Sequence, residues 1–150
     1  MIAVAVSACL LGENCKYSGG NNKCDALLRA LGERDDILVI PACPEVAGGL
    51  PTPRPPAEIV DGRVLAANGD EVDQAFRSGS AKELERLRPY IEKGELVAAV
   101  LQSRSPSCGV HQVYDGSFEG KLIAGRGVFA RDLESAGVRL IDVSDIDKKV

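Results

Sequence analysis

The chain has five cysteines and a single histidine, and three of the cysteines stand where chemistry is usually assembled. Cys9 closely follows a first apolar run, Cys43 follows a second, and Cys108 lies a few residues past a third. Each sits beside loop-forming residues, as in Cys43-Pro44 and Ser105-Pro106-Ser107-Cys108-Gly109. In an open parallel sheet the loops at the carboxyl ends of the strands gather around ligands, so these cysteines can become neighbours in space. Three thiolates turned on one point can bind zinc with an open fourth position, although catalytic zinc usually takes histidine and His111 is the only one here. They can also hold three irons of a 4Fe–4S cluster and leave the fourth iron open as a Lewis acid. The bland reading of a lone cysteine is a small buried hydrophobe. It suits Cys24, on the apolar face of the first expected helix, while Cys15 is either a loop thiol near the site or a spectator. Two other thiol chemistries fall away. No cysteine has arginine six positions later to cradle a phosphate, and no Cys-x-x-Cys pair supplies a thioredoxin-type dithiol.

The elements that must position these residues follow from periodicity. Ile2 to Ala8 is continuously apolar, as in a strand covered on both faces. Leu11 to Gly20 is loop-like. Asn22 to Leu31 carries a helical apolar stripe ending at Gly32. Ile37 to Ile40 is predicted as a second buried strand, broken by Pro41, and the proline-rich stretch Cys43 to Ala57 as a shaped loop. Asp61-Gly62 marks a turn between two short strands. Helical spacing runs from Glu71 through Ile91, weakened at Gly79 and kinked or restarted at Pro89. Leu96 to Leu101 is a third buried strand, and Val110 to Tyr114 with Phe118 onward reads as a hairpin. Gly127 to Ala136 is a last helix and Val138 to Val143 a last strand. Strands alternating with helices indicate an α/β fold: one domain over 1–150, Rossmann-like, with a mainly parallel sheet and a small hairpin. The first three strands are expected to lie parallel in the sheet centre.

Composition bounds the partners. Hydrophobic residues at 45% and charged residues at 27% are those of a globular protein. A net charge of −4 gives no bulk attraction for a polyanion. No apolar run approaches a membrane span, and Met1 to Ala8 lacks the basic start and longer apolar core of a signal peptide. The expectation is a cytoplasmic protein, in which an odd cysteine count speaks for reactive or metal-binding thiols rather than disulfides.

The motifs occur together in a telling order: Val6-Ser7-Ala8-Cys9-Leu10-Leu11-Gly12, Cys43-Pro44-Glu45-Val46-Ala47-Gly48-Gly49-Leu50, Pro53-Arg54 with Pro56-Ala57-Glu58, Ser105-Pro106-Ser107-Cys108-Gly109, and Tyr114-Asp115-Gly116-Ser117-Phe118. In this the chain resembles the thiouracil desulfidase family of small bacterial proteins, from the first strand to the last. The resemblance implies a 4Fe–4S cluster on Cys9, Cys43 and Cys108, with one iron open. It implies loss of sulfur from a thiolated pyrimidine, released as hydrogen sulfide, by hydrolysis without redox change of the cluster. It makes Glu45 the base that activates water, and a serine of the Ser-Pro-Ser-Cys segment, Ser105, a hydrogen-bond donor or proton relay to the ring. Some relatives are associated with thiolated tRNA, but one domain favours a small-molecule base or nucleoside. Beside these stand plainer roles: Glu45 or Ser107 as caps, Arg54 paired with Glu58, His111 exposed on the hairpin, Tyr17 covering the core edge. The alternative functions are a non-catalytic sulfur or persulfide carrier, an iron–sulfur sensor, and a zinc hydrolase.

Overall fold

The structure is a computed structural model that describes residues 1–147. Four parallel strands form the central sheet: β1 (Ile2–Ser7), β2 (Ile37–Ala42), β5 (Leu96–Leu101) and β8 (Leu140–Asp142), in the order β2-β1-β5-β8. The chain leaves β1 for β2 on one side, then crosses to β5 on the other. The point between β1 and β5 where the winding reverses is where an open sheet leaves a crevice at its carboxyl edge. β1 and β5 are buried on both faces, which is why their sequences are apolar without alternation. Ala3, Ala5, Ala99 and Leu101 face one layer with Leu87, Phe129 and Leu133. Val4, Val6 and Val100 face the other with Leu27 and Val143. The first layer comes from α3 (Asp73–Glu92) and α4 (Val128–Ser135), the second from α1 (Asp25–Gly32) and the terminal α5 (Val143–Asp147).

Three expectations need correction. The second strand does not break at Pro41 but runs on to Ala42, in register from Ile2↔Ile37 to Ser7↔Ala42. It lies at the sheet edge rather than the centre, and an edge tolerates a residue with no N–H; the Pro41 carbonyl accepts from Arg86 instead. The long helix is continuous through Gly79 and Pro89. Pro89 is exposed, so the carbonyl that loses its partner one turn back can turn to water. The stretch after Cys43 is not all loop: Pro44–Ala47 forms a single helical turn, α2, with proline at its first position.

Gly79 has a packing reason. A Cβ there would lie 1.7 Å from the Pro44 carbonyl oxygen, and one on Gly48 would lie 2.0 Å from the Ala75 oxygen. Two bare backbones let α2 sink onto α3. Two antiparallel hairpins complete the fold, β3 (Ala57–Val60) with β4 (Arg63–Ala66) and β6 (Gln112–Tyr114) with β7 (Leu122–Ala124). His111, beside the second hairpin, is exposed and pairs with Asp145 at 2.8 Å. Among the described residues no helix is long and apolar enough to cross a membrane.

Gly79→Ala is expected to cost about 3 kcal/mol or more, because a backbone oxygen has nowhere to retreat. Gly32→Ala, with nothing within 4 Å of its Cβ, should be neutral or stabilising by up to about 1 kcal/mol. Urea unfolding of the two variants measures the contrast.

Candidate active site

A cavity of about 1010 Å³ opens at the carboxyl edge of the sheet. Cys9, Cys43 and Cys108 all line it, as do Cys15, Glu45, Arg54 and Ser105. Cys24, read from sequence as a core residue, also contributes to its wall, while packing beside the cluster of Val4 and Leu27. No disulfide joins Cys9, Cys15, Cys43 and Cys108.

Each of the three strand-end cysteines is fixed by a different device. Cys9 sits in the 3-10 turn Ala8–Leu11 directly after β1. Asn22 holds it twice, its N–H donating to the Cys9 carbonyl at 2.9 Å and its Nδ2 to the sulfur at 3.5 Å. Cys43 precedes α2, and its N–H donates to the buried Glu83 carboxylate of α3 at 3.0 Å. Glu83 in turn accepts from Arg86 at 2.9 Å. Cys108 lies in a tight turn whose first hydroxyl, Ser105 Oγ, accepts from the N–H groups of Ser107 at 3.1 Å and Cys108 at 3.0 Å. That turn is pinned to the start of α4: the N–H groups of Gly127, Val128 and Ala130 donate to the carbonyls of Gly109, Pro106 and Ser107. Otherwise unpaired first-turn donors of a helix thus hold the loop. Gly127 permits the contact, since a Cβ would stand 2.3 Å from the Ser107 carbonyl carbon.

Glu45, in α2, points its carboxylate between two donors. Ser107 Oγ donates to Oε1 at 2.9 Å, and Arg54 Nη2 stands 3.5 Å from Oε2. The Arg54 side chain is only 8% exposed and also donates to the Cys15 carbonyl at 2.9 Å. Its partner is therefore Glu45, not the Glu58 suggested by sequence proximity. Glu58 Oε1 instead accepts from the N–H groups of Gly116 and Phe118. Ser107 is fully buried, and Ser105 reaches the cavity. The roles of Glu83, Asn22 and the buried Ser7, which hydrogen-bonds the Cys108 sulfur, went unseen in the sequence. Ser7 and Asn22 lie within two residues of Cys9 and Cys24, whereas nothing local marked Glu83.

The electrostatics are one-signed. Burial pushes the Cys43 thiol far above its usual range, and the Glu45 charge pushes further. Burial, then Glu45, raises Cys108 to about 12 against hydrogen bonds from Ser7 and Ser107. Burial also raises Cys9, opposed by the Asn22 hydrogen bond and reinforced by Cys15 and Glu45. Burial likewise raises Cys15, whose side chain hydrogen-bonds Cys43. Soft sulfur donors that cannot ionise cheaply, in a cavity wide enough for a guest, fit a polynuclear iron–sulfur cation that would invert this balance. A lone metal ion fits less well. Among the described residues no three His, Cys, Asp or Glu side chains gather as one ion's ligands, whereas a cluster asks each sulfur for a separate iron. Glu83→Ala, which strips the Cys43 N–H and Arg86 of a buried acceptor, should cost about 1–3 kcal/mol. Glu85→Ala, which breaks an exposed pair with Arg88, should leave the unfolding midpoint nearly unchanged.

The family model described as 2-thiouracil desulfurase matches residues 4–145. The protein YbbK of Bacillus subtilis (strain 168), itself described as uncharacterized, is 34% identical over 96% of this chain and 97% of its own length. The solved structure titled [4Fe-4S]-dependent thiouracil desulfidase TudS (DUF523Vcz) is 36% identical and superposes with a TM-score of 0.85, covering 99% of this chain and 95% of that one. With a family model matching residues 4–145 and relatives 34% and 36% identical over nearly its whole length, the chain belongs to the 2-thiouracil desulfurase family.

Proposed function

We propose that the protein is a desulfidase that converts a thiolated pyrimidine, of the kind of 2-thiouracil or its nucleoside, to the oxo-pyrimidine and hydrogen sulfide. The observation that carries this reading is the meeting of Cys9, Cys43 and Cys108 with Glu45 around one cavity, in a chain whose solved relative is titled as 4Fe–4S dependent. Those three cysteines would hold the cluster, and Cys24 would not. When bound, the cluster supplies a sulfur-seeking Lewis acid at the iron without a protein ligand. Single-ion zinc chemistry has less support, since the donors do not gather for one ion.

The side chains of the chain do the rest. Glu45, two residues past a ligand and held by Ser107 and Arg54, takes the proton of a water that attacks the ring carbon. Arg54 keeps that carboxylate from swinging away and ties it to the Cys15 loop. Ser105, on the cavity wall, supplies the hydrogen bond or proton to the ring. The cavity also exposes Tyr17 and Tyr114 to a bound base, and aromatic rings favour stacking on a pyrimidine. The net reaction is hydrolysis, with no electron leaving or entering the protein. A small molecule fits the chain's net negative charge better than a nucleic acid does, and thiols kept reduced suit the cytoplasm.

Anaerobic reconstitution tests the ligands. The protein should turn brown with about four irons per chain, and serine in place of Cys9, Cys43 or Cys108 should abolish the broad absorbance while Cys24→Ser keeps it. A full cluster in Cys43→Ser contradicts the assignment. Glu45→Gln should retain iron and bind 2-thiouracil, yet release sulfide about a hundred- to ten-thousand-fold more slowly. An intact cluster in wild-type protein that never releases sulfide would point to a carrier or sensor.

A further inference from the structure

Hydrogen-bond capacity around Glu45 leaves little freedom. A hydroxyl has one proton to give and two lone pairs to fill, and a carboxylate only accepts. Ser105 Oγ already accepts from the N–H groups of Ser107 and Cys108, so both lone pairs are used and only its proton remains. Ser107 Oγ donates to Glu45 Oε1 at 2.9 Å. Its sulfur neighbour, Cys108 Sγ at 3.6 Å, is the weaker acceptor, because a hydrogen bond to an ionised oxygen is the stronger. Ser105 and Ser107 hydroxyls lie 3.0 Å apart. With the Ser107 proton on Glu45, Ser107 has none to give Ser105, and the Ser105 proton can turn to Ser107 or to the cavity that Ser105 lines.

We propose that Ser107, fully buried and out of reach of any substrate, is the positioning residue that holds the Glu45 carboxylate in its working orientation. This rests on the desulfidase reading above. The Ser107 hydroxyl fixes Oε1 at 2.9 Å, while Arg54 stands 3.5 Å from Oε2. One oxygen is thus held by a buried neutral donor and the other by a cation. Ser107 gives up no proton and touches no substrate; it acts through Glu45.

The test compares Ser107→Ala, Ser107→Thr, Glu45→Gln and the double variant Ser107→Ala/Glu45→Gln in anaerobically reconstituted protein with 2-thiouracil, with rates expressed per bound cluster. Ser107→Ala should lose tenfold or more in kcat with KM within about twofold, and Ser107→Thr, which keeps a hydroxyl, should recover most of it. The double variant should be no slower than Glu45→Gln alone, since Ser107 acts through Glu45. A near-normal rate in Ser107→Ala, or losses that multiply in the double variant, overturns the positioning role. A second readout needs neither cluster nor turnover, nor does it need the threonine variant to pack well. In cluster-free protein, the infrared difference between wild type and Ser107→Ala should show a shifted carboxylate band that is missing in the Glu45→Gln background. If that band shifts while wild-type holoprotein releases no sulfide, the desulfidase reading fails and the Ser107–Glu45 bond stands. If it does not shift, the positioning role fails whatever the protein does to thiouracil.

Discussion

The charge of Glu45 opposes the ionisation of Cys9, Cys43 and Cys108 alike, and burial opposes it further. A cavity that gathers several groups able to carry negative charge, with Arg54 the one cation paired to the Glu45 carboxylate among the described residues, is costly unless something positive enters it. That tension orders the rest of the site. The hydrogen bonds that reach the sulfurs, from Asn22 to Cys9 and from Ser7 to Cys108, favour the thiolate form a metal would require. Donors of this kind also tune the potential of an iron–sulfur centre.

Rigid supports keep the crowded groups in place. Close backbone contact between α2 and α3, made possible by Gly48 and Gly79, sets Cys43 and Glu45 against the helix that supplies Glu83. The first turn of α4 holds the Cys108 loop through three carbonyls. The two supports meet through the Ser107–Glu45 bond, which joins residues far apart in sequence. The proposed base and ligands are thus parts of one framework, and a group held this way keeps its geometry when solvent is excluded.

Much of this was legible beforehand because it depends on local signals. Apolar runs without alternation marked β1 and β5, and cysteines just past them implied a shared edge. Glu45 and Arg54 were singled out by the family's motifs, although Arg54 was first paired with the nearer Glu58. What escaped depends on tertiary contact. Pro41 reads as a breaker until its strand is known to be at the edge. Gly79 reads as a weak point in α3 until the Pro44 carbonyl is seen against it. Glu83 looks like one more charge on a solvated helix, yet it is buried and accepts from the Cys43 backbone. Ser105 and Ser107 are indistinguishable by type, and only the lone-pair count separates the hydroxyl that caps the turn from the one that grips Glu45.

The central claim is that three cysteines leave one iron open beside Glu45. Mössbauer spectroscopy of protein reconstituted with iron-57 addresses it most directly, because each iron reports its own ligands. About a quarter of the absorption should belong to a distinct site, and adding 2-thiouracil to the Glu45→Gln protein should move that quarter alone. Four equivalent irons, unchanged by the thiolated base, would contradict the account.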